Sequence, residues 1–177
     1  MCERLLVSSL TIHALEPADW RLYRTLRLAA LTDAPQEFGS SLAREEALTE
    51  AQWRRRLEGR SQFIAREDGE PCGLAGVVPA GTQVAELVSV WVRPRSRGQG
   101  VGGLLLDAAL GWAADHGFVE VRLSVSEGNH TAERLYSRHG FRRKAVGGLT
   151  EDDTDKREFA MVRTDPLLRG RASRSGR

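Results

Sequence analysis

The spacing of apolar residues changes period several times along the chain. Residues 5–13 read as a strand, and residues 18–31 as a helix with Leu22, Leu26 and Ala29 on one face, ending before Pro35. A loop through Ser41 follows, and Thr49-x-x-Gln52 is a capping box opening a second helix that runs to about Leu57. Residues 63–66 and 73–78 flank the turn pair Asp68-Gly69 as a hairpin, and residues 84–92 add a third strand. After Arg93-Pro94 the period turns helical. Leu104, Leu105, Ala108, Ala109 and Trp112 form an apolar stripe that stops at Gly117. Val119, Val121, Leu123 and Val125 then alternate with mostly polar residues as a strand. Asn129 or Thr131 opens a short helix ending at Gly140, and residues 141–146 and 159–162 complete the sheet. The order predicts an α/β (α+β) fold with helices around one mixed, mostly antiparallel sheet.

At 177 residues the chain is one domain, placed at residues 1–164, with an Arg, Gly, Ser and Ala mixture after it that has nothing to bury. Residues 165–177 are therefore expected to be a disordered basic tail. They hold four Arg and one Asp, a charge of +3, against +2 for the whole chain, so the body carries −1. Such a body lacks the basic field that a nucleic-acid backbone requires. Cys2 and Cys72 are too few for a disulfide framework, and the opening residues lack an export pattern, which together point to the cytoplasm. Residues 101–114, the most apolar stretch, fall short of the ~20 needed to cross a bilayer. His13, His116, His130 and His139 show no metal-ligand spacing, so no metal is expected.

Candidate chemistry concentrates at Arg97-Gly98-Gln99-Gly100-Val101-Gly102-Gly103, between the third strand and the apolar helix. Glycines allow close backbone approach, and the first helical turn presents unpaired N–H groups. The first acid of that helix is Asp107, past the first turn, so the positive end of the helix is free for an anion such as a pyrophosphate. The alternative is a turn that only lets strand and helix pack. Gly98-x-Gly100-x-x-Gly103 also fits a dinucleotide fingerprint, but Glu120 lies at the wrong end of its strand for a ribose-binding acid. No Gly-Lys-Ser/Thr closes the run, which excludes an ATPase loop. On the strand before the turn, strict alternation puts Glu86 on one face with Val88, Val90 and Val92. There desolvation would raise its pKa, making it a candidate general base; otherwise it is a solvated carboxylate near a strand end.

Arg97-x-x-Gly100-x-Gly102 after Val-Ser-Val-Trp-Val-Arg-Pro (88–94), followed by Asn129 and Leu135-Tyr136-x-x-x-Gly140-Phe141, resembles the GNAT superfamily of N-acetyltransferases. Leu26-Arg27-Leu28-Ala29-Ala30-Leu31 with Pro35 and Phe38-Gly39-Ser40 resembles the opening helix and loop of many bacterial members. The resemblance implies that acetyl-CoA lies where strands 84–92 and 119–126 splay apart. Its pantetheine arm would pair with the backbone of Val90, Trp91 and Val92, and its pyrophosphate with the N–H groups of Arg97, Gly98, Gln99, Gly100, Val101 and Gly102. Asn129 would bond the pantetheine amides, cap its helix, or both. The family's catalytic Glu falls at Glu86, and its thiolate-protonating tyrosine at Tyr136, which is otherwise a core aromatic. Both point to an N-acetyltransferase acting on a primary amine, expected on a small molecule, by direct attack in a ternary complex. An amine of a protein N-terminus or lysine, and a non-catalytic acyl-CoA-binding module, are the alternatives. The chain is expected to be a monomer or homodimer.

Overall fold

The computed structural model describes residues 9–59, 61–144 and 158–164. The beginning of the first predicted strand, the end of the predicted strand at residues 141–146 and the basic tail expected at residues 165–177 lie outside them. A single seven-stranded sheet in the order β1-β2-β3-β4-β5-β7-β6 organises the chain. Its strands are β1 (Leu10–Ala14), β2 (Gln62–Glu67), β3 (Glu70–Pro79), β4 (Val84–Val92), β5 (Glu120–Ser126), β6 (Arg142–Arg143) and β7 (Glu158–Thr164). Every neighbouring pair is antiparallel except β4 and β5, as the short connections among the early strands lead one to expect.

Helices cover both faces, so each strand must be apolar on both sides where it is covered. On one face lies α4 (Val101–Asp115), whose Val101, Leu105, Leu106 and Ala109 pack with Ala75, Val77 and Leu87. On the other lie α1 (Trp20–Asp33), α2 (Leu42–Glu46) and α3 (Glu50–Arg55). There Leu26, Ala30, Leu31 and Trp53 bury against Ile64, Leu74 and Trp91. The α3 capping box forms as predicted: the Gln52 N–H donates to Thr49 Oγ1 at 3.3 Å, and the Thr49 N–H to Gln52 Oε1 at 2.8 Å. α2 is a single turn where the sequence pattern suggests only loop; Ser41 caps it through the Arg44 N–H at 3.3 Å. Five residues are too few to display a helical period. The last helix, α5 (His130–Arg138), is capped by Asn129, whose Oδ1 accepts from the Ala132 N–H at 3.1 Å.

Two features of β4 shape everything that follows. It pairs with β5 only from Val84↔Glu120 to Glu86↔Arg122, after which the two strands part. Further along, its register against β3 jumps from Gly76↔Val88 to Leu74↔Trp91, which inserts one extra residue on β4. Ser89, at this bulge, has φ +60°. The bulge reverses the alternation: Leu87 belongs to the α4-side core, whereas Trp91 belongs to the α1-side core. Glu86 therefore shares the α1-side face with Val88, while Val90 and Val92 pack towards α4. The strict alternation expected from sequence is corrected by this single extra residue.

Candidate active site

Where β4 and β5 diverge they leave a cleft of about 950 Å³. Its walls are the backbone from Leu87 to Val92 on one side and Leu123, Ser124 and Val125 on the other, with the glycine turn and α5 at its rim. A strand that has lost its neighbour keeps a row of unpaired N–H and C=O groups, so this wall presents the hydrogen-bonding pattern of a sheet edge. Val90, Trp91 and Val92 all line it, in the places assigned to pantetheine recognition. The Trp91 side chain turns away into the α1-side core, where Nε1 donates to Asp33 Oδ2 at 2.9 Å.

The turn into α4 has the geometry that anion binding needs. Gly98 and Gly100 take φ +76° and +86°, and Gly100 is the helix N-cap. The Leu104 N–H is bonded to the Gly100 carbonyl at 3.2 Å, so the N–H groups of the first turn before it have no carbonyl a turn behind them. No acid occupies that turn. Arg97, Gly98, Gly100, Val101 and Gly102 line the cleft, but Gln99 does not; its Nε2 donates to the Arg95 carbonyl at 3.1 Å. Val101 reaches the cleft only at its edge, since the residue is buried in the core against α4's neighbours on the sheet. Arg97 is held across the turn, its Nε donating to the Val92 carbonyl at 2.9 Å and its Nη2 to Asp33. Arg134 and Arg138 of α5 add positive charge to the rim.

Asn129 and Tyr136 stand together on the α5 wall. Asn129 caps its helix and also reaches across the mouth of the cleft, donating from Nδ2 to Glu37 Oε2 at 2.8 Å. Glu37 sits in a short 3-10 turn, Pro35–Glu37, after α1, so this contact straps that turn to the start of α5 at the cleft rim. Tyr136 is 8% exposed and packs edge-on against Phe141, ring centroids 6.0 Å apart. Burial, and then the negative charge of Glu37, push its phenol well above the ordinary value. It is a core aromatic and also one of the residues lining the cleft.

Glu86 is not brought to these groups. It is exposed, lies outside the cleft lining and borders the parallel pair with Arg122. The desolvation expected for it is absent, because the bulge and the splay both begin beyond it. Asp33, Glu37, Ser89 and the buried Arg27, by contrast, receive no role from the sequence, although Arg27 and Ser89 stand within the segments that carry the family resemblance; each gains its place through a contact distant in sequence. Among the described residues no three His, Cys, Asp or Glu side chains gather in a way that could hold a metal ion.

Comparison with known proteins places this arrangement. Residues 22–141 match the model of the acetyltransferase (GNAT) family. An uncharacterized N-acetyltransferase of Bacillus subtilis is 32% identical over 124 residues, covering 64% of this chain and 80% of that protein. A mycothiol acetyltransferase of Thermomonospora curvata is 30% identical over 137 residues, covering 77% of this chain and 45% of that protein. In fold, an N-acetyltransferase of Thermoplasma acidophilum solved in complex with coenzyme A superposes with a TM-score of 0.65 at 20% identity, over 88% of this chain and 99% of that one. The splayed sheet, the glycine turn and the family match over most of the chain agree: it belongs to the GNAT family of acetyl-CoA-dependent acetyltransferases.

Proposed function

We propose that the chain transfers the acetyl group of acetyl-CoA to a primary amine of a small molecule, by direct attack in a ternary complex. The observation that carries this reading is the opening between β4 and β5, where an unpaired strand backbone and an unpaired helix N-terminus meet in one cleft. These groups fit acetyl-CoA: the amides of its arm match the cleft-facing backbone of Val90 to Val92, where the Val92 carbonyl already accepts from Arg97, and its pyrophosphate matches the turn from Arg97 to Gly102. Asn129 supports the opposite wall, having one side-chain oxygen and one amide to share between cap, strap and substrate.

For the chemistry, backbone N–H groups at the β4 bulge polarise the thioester carbonyl as charge develops on it. Tyr136, kept neutral by burial, donates the proton that the departing thiolate needs. Glu86, on the α1-side face and open to solvent, takes the amine proton through water. The strap from Asn129 to Glu37 bounds the acceptor side of the cleft, which favours a small amine over a folded protein surface. Two Cys and the lack, among the described residues, of a helix long and apolar enough to cross a membrane accord with cytoplasmic residence.

The test is release of free CoA thiol across amines, amino acids, polyamines, aminoglycosides and peptides. Turnover on a small amine is the expected result. Turnover on peptides alone assigns a protein acceptor, and acetyl-CoA binding without turnover on any amine assigns a binding module.

A further inference from the structure

Arg27 lies in the middle of α1 and is 6% exposed. Its guanidinium is fully engaged on three sides. Nε and Nη2 donate to the two oxygens of Glu45, each at 3.0 Å, and Nη1 donates to Ser89 Oγ at 2.9 Å. The plane also lies over the Phe38 ring, 4.7 Å from its centroid. Glu45 is 1% exposed and accepts a further bond from Arg56 Nη1 at 3.0 Å, so the buried carboxylate is doubly paired.

Ser89 is the notable partner. Among the described residues only Asp68 and Ser89 have positive φ without being glycine. Asp68 stands in the β2–β3 hairpin turn, where such backbone is ordinary. Ser89 stands inside a strand, at the bulge that lines the cleft, and a strained residue persists there only if its surroundings hold it. The bulge leaves the Ser89–Val90 segment out of register with β3, and β5 has already turned away. Its one side-chain hydrogen bond within the described residues is the bond from Arg27.

We propose that Arg27 is a positioning residue for acetyl transfer: anchored by Glu45, it grips Ser89 and fixes the direction of the backbone donors at the β4 bulge. The proposal rests on the acetyltransferase reading above and extends it from the cleft into the α1–α3 layer. A guanidinium suits the task because its planar fork holds a carboxylate in two bonds and still has a donor directed elsewhere; a lysine would supply charge without the second direction. If the donors act on charge that develops only during transfer, their misdirection slows the chemical step and spares binding of acetyl-CoA.

Three variants of the full chain test this: Ser89→Ala, Ser89→Gly and Arg27→Lys. Ser89→Ala deletes the gripped hydroxyl, Ser89→Gly deletes it while relieving the backbone, and Arg27→Lys keeps the charge facing Glu45. All three are expected to lose about 10- to 100-fold in kcat, below the full effect of deleting an oxyanion donor, with KM for acetyl-CoA changed by less than about twofold. Amide exchange at Val88, Ser89 and Val90 is expected to quicken in the same variants. Ser89→Gly adds a dissociation of effects, since it should lose rate without losing thermal stability. A wild-type kcat in folded Ser89→Ala, or unaltered amide exchange there, overturns the role of Arg27 and leaves the acetyltransferase reading standing. Failure of the wild type to acetylate any amine overturns that reading, and this role with it. Should Arg27→Lys not fold, the two Ser89 variants decide the matter.

Discussion

Tyr136 owes its expected role as a proton donor to the same burial that makes it a packing residue. Its phenol is raised above the usual ~10, first by burial and then by Glu37, so it stays protonated throughout the neutral range. In Tyr136→Phe the ring contact with Phe141 is kept and only the hydroxyl is lost. The chemical step, read by single-turnover kinetics, is expected to slow by about 10-fold or more, towards the lower end of general-acid effects because a thiolate is a tolerable leaving group. Affinity for acetyl-CoA should hold, and an unchanged chemical step reduces Tyr136 to packing. Because its pKa is raised, wild-type transfer should show no alkaline loss from this group below about pH 10. Glu86→Gln in the same experiment is expected to cost about 10-fold, less than the ~10² to 10⁴ of a buried base, since Glu86 is solvated. A wild-type rate there would hand the amine proton to water. The position of Tyr136 was legible, because seven residues from a helix cap place a side chain about two turns on. The surroundings of Glu86 were not, because they turn on an extra residue three positions away.

At the level of elements, the glycines of the turn into α4 divide by purpose. Gly98 and Gly100 have open space where a Cβ would point, and their positive φ is what calls for glycine. Gly102 has ordinary φ, but a Cβ there would come within 3.0 Å of Leu135 Cδ2. Gly100→Ala is therefore expected to cost roughly 1–2 kcal/mol of stability by thermal melting, and to weaken acetyl-CoA binding by calorimetry as the turn relaxes. Gly102→Ala should act instead by pushing against α5, which carries Asn129 and Tyr136, so that rate falls more than affinity. Equal effects on both quantities in the two variants would erase this division. Signals confined to a few neighbouring residues, such as the Thr49 capping box, the hairpin at Asp68-Gly69 and the Asn129 cap, could be read directly from sequence. The bulge at Ser89 and the strap between Glu37 and Asn129 could not; the latter joins residues 92 positions apart, and no local pattern records such a pairing.

For the whole molecule, the layer of α1, α2 and α3 is tied together by an ion cluster around the buried Glu45, and to the sheet by the bond from Arg27 to Ser89 as well as by apolar packing. Burial would raise the Glu45 pKa, but the hydrogen bonds and charges of Arg27 and Arg56 outweigh it and hold the carboxyl below its ordinary value. A depressed carboxylate contributes stability that is fully present above its unfolded pKa of ~4.3 and is lost as pH falls through the folded value. Glu45→Gln is expected to lower stability at pH 7 by about 3 kcal/mol, because Arg27 would keep a buried charge with a neutral partner. It should also flatten the fall in stability below about pH 4, as chemical denaturation at a series of pH values would show. A parallel curve in variant and wild type would exclude Glu45 as a source of acid sensitivity. The parting of β4 and β5 has one more consequence. A sheet normally has two edges, here β1 and β6, yet this one carries a further pair facing each other in its interior. Exposed strand edges are templates for pairing with other chains, and a bound acyl-CoA lying between them would cap both. Acetyl-CoA is therefore expected to slow self-association of the chain, and light scattering with and without it would show an unchanged rate if the inner edges play no part.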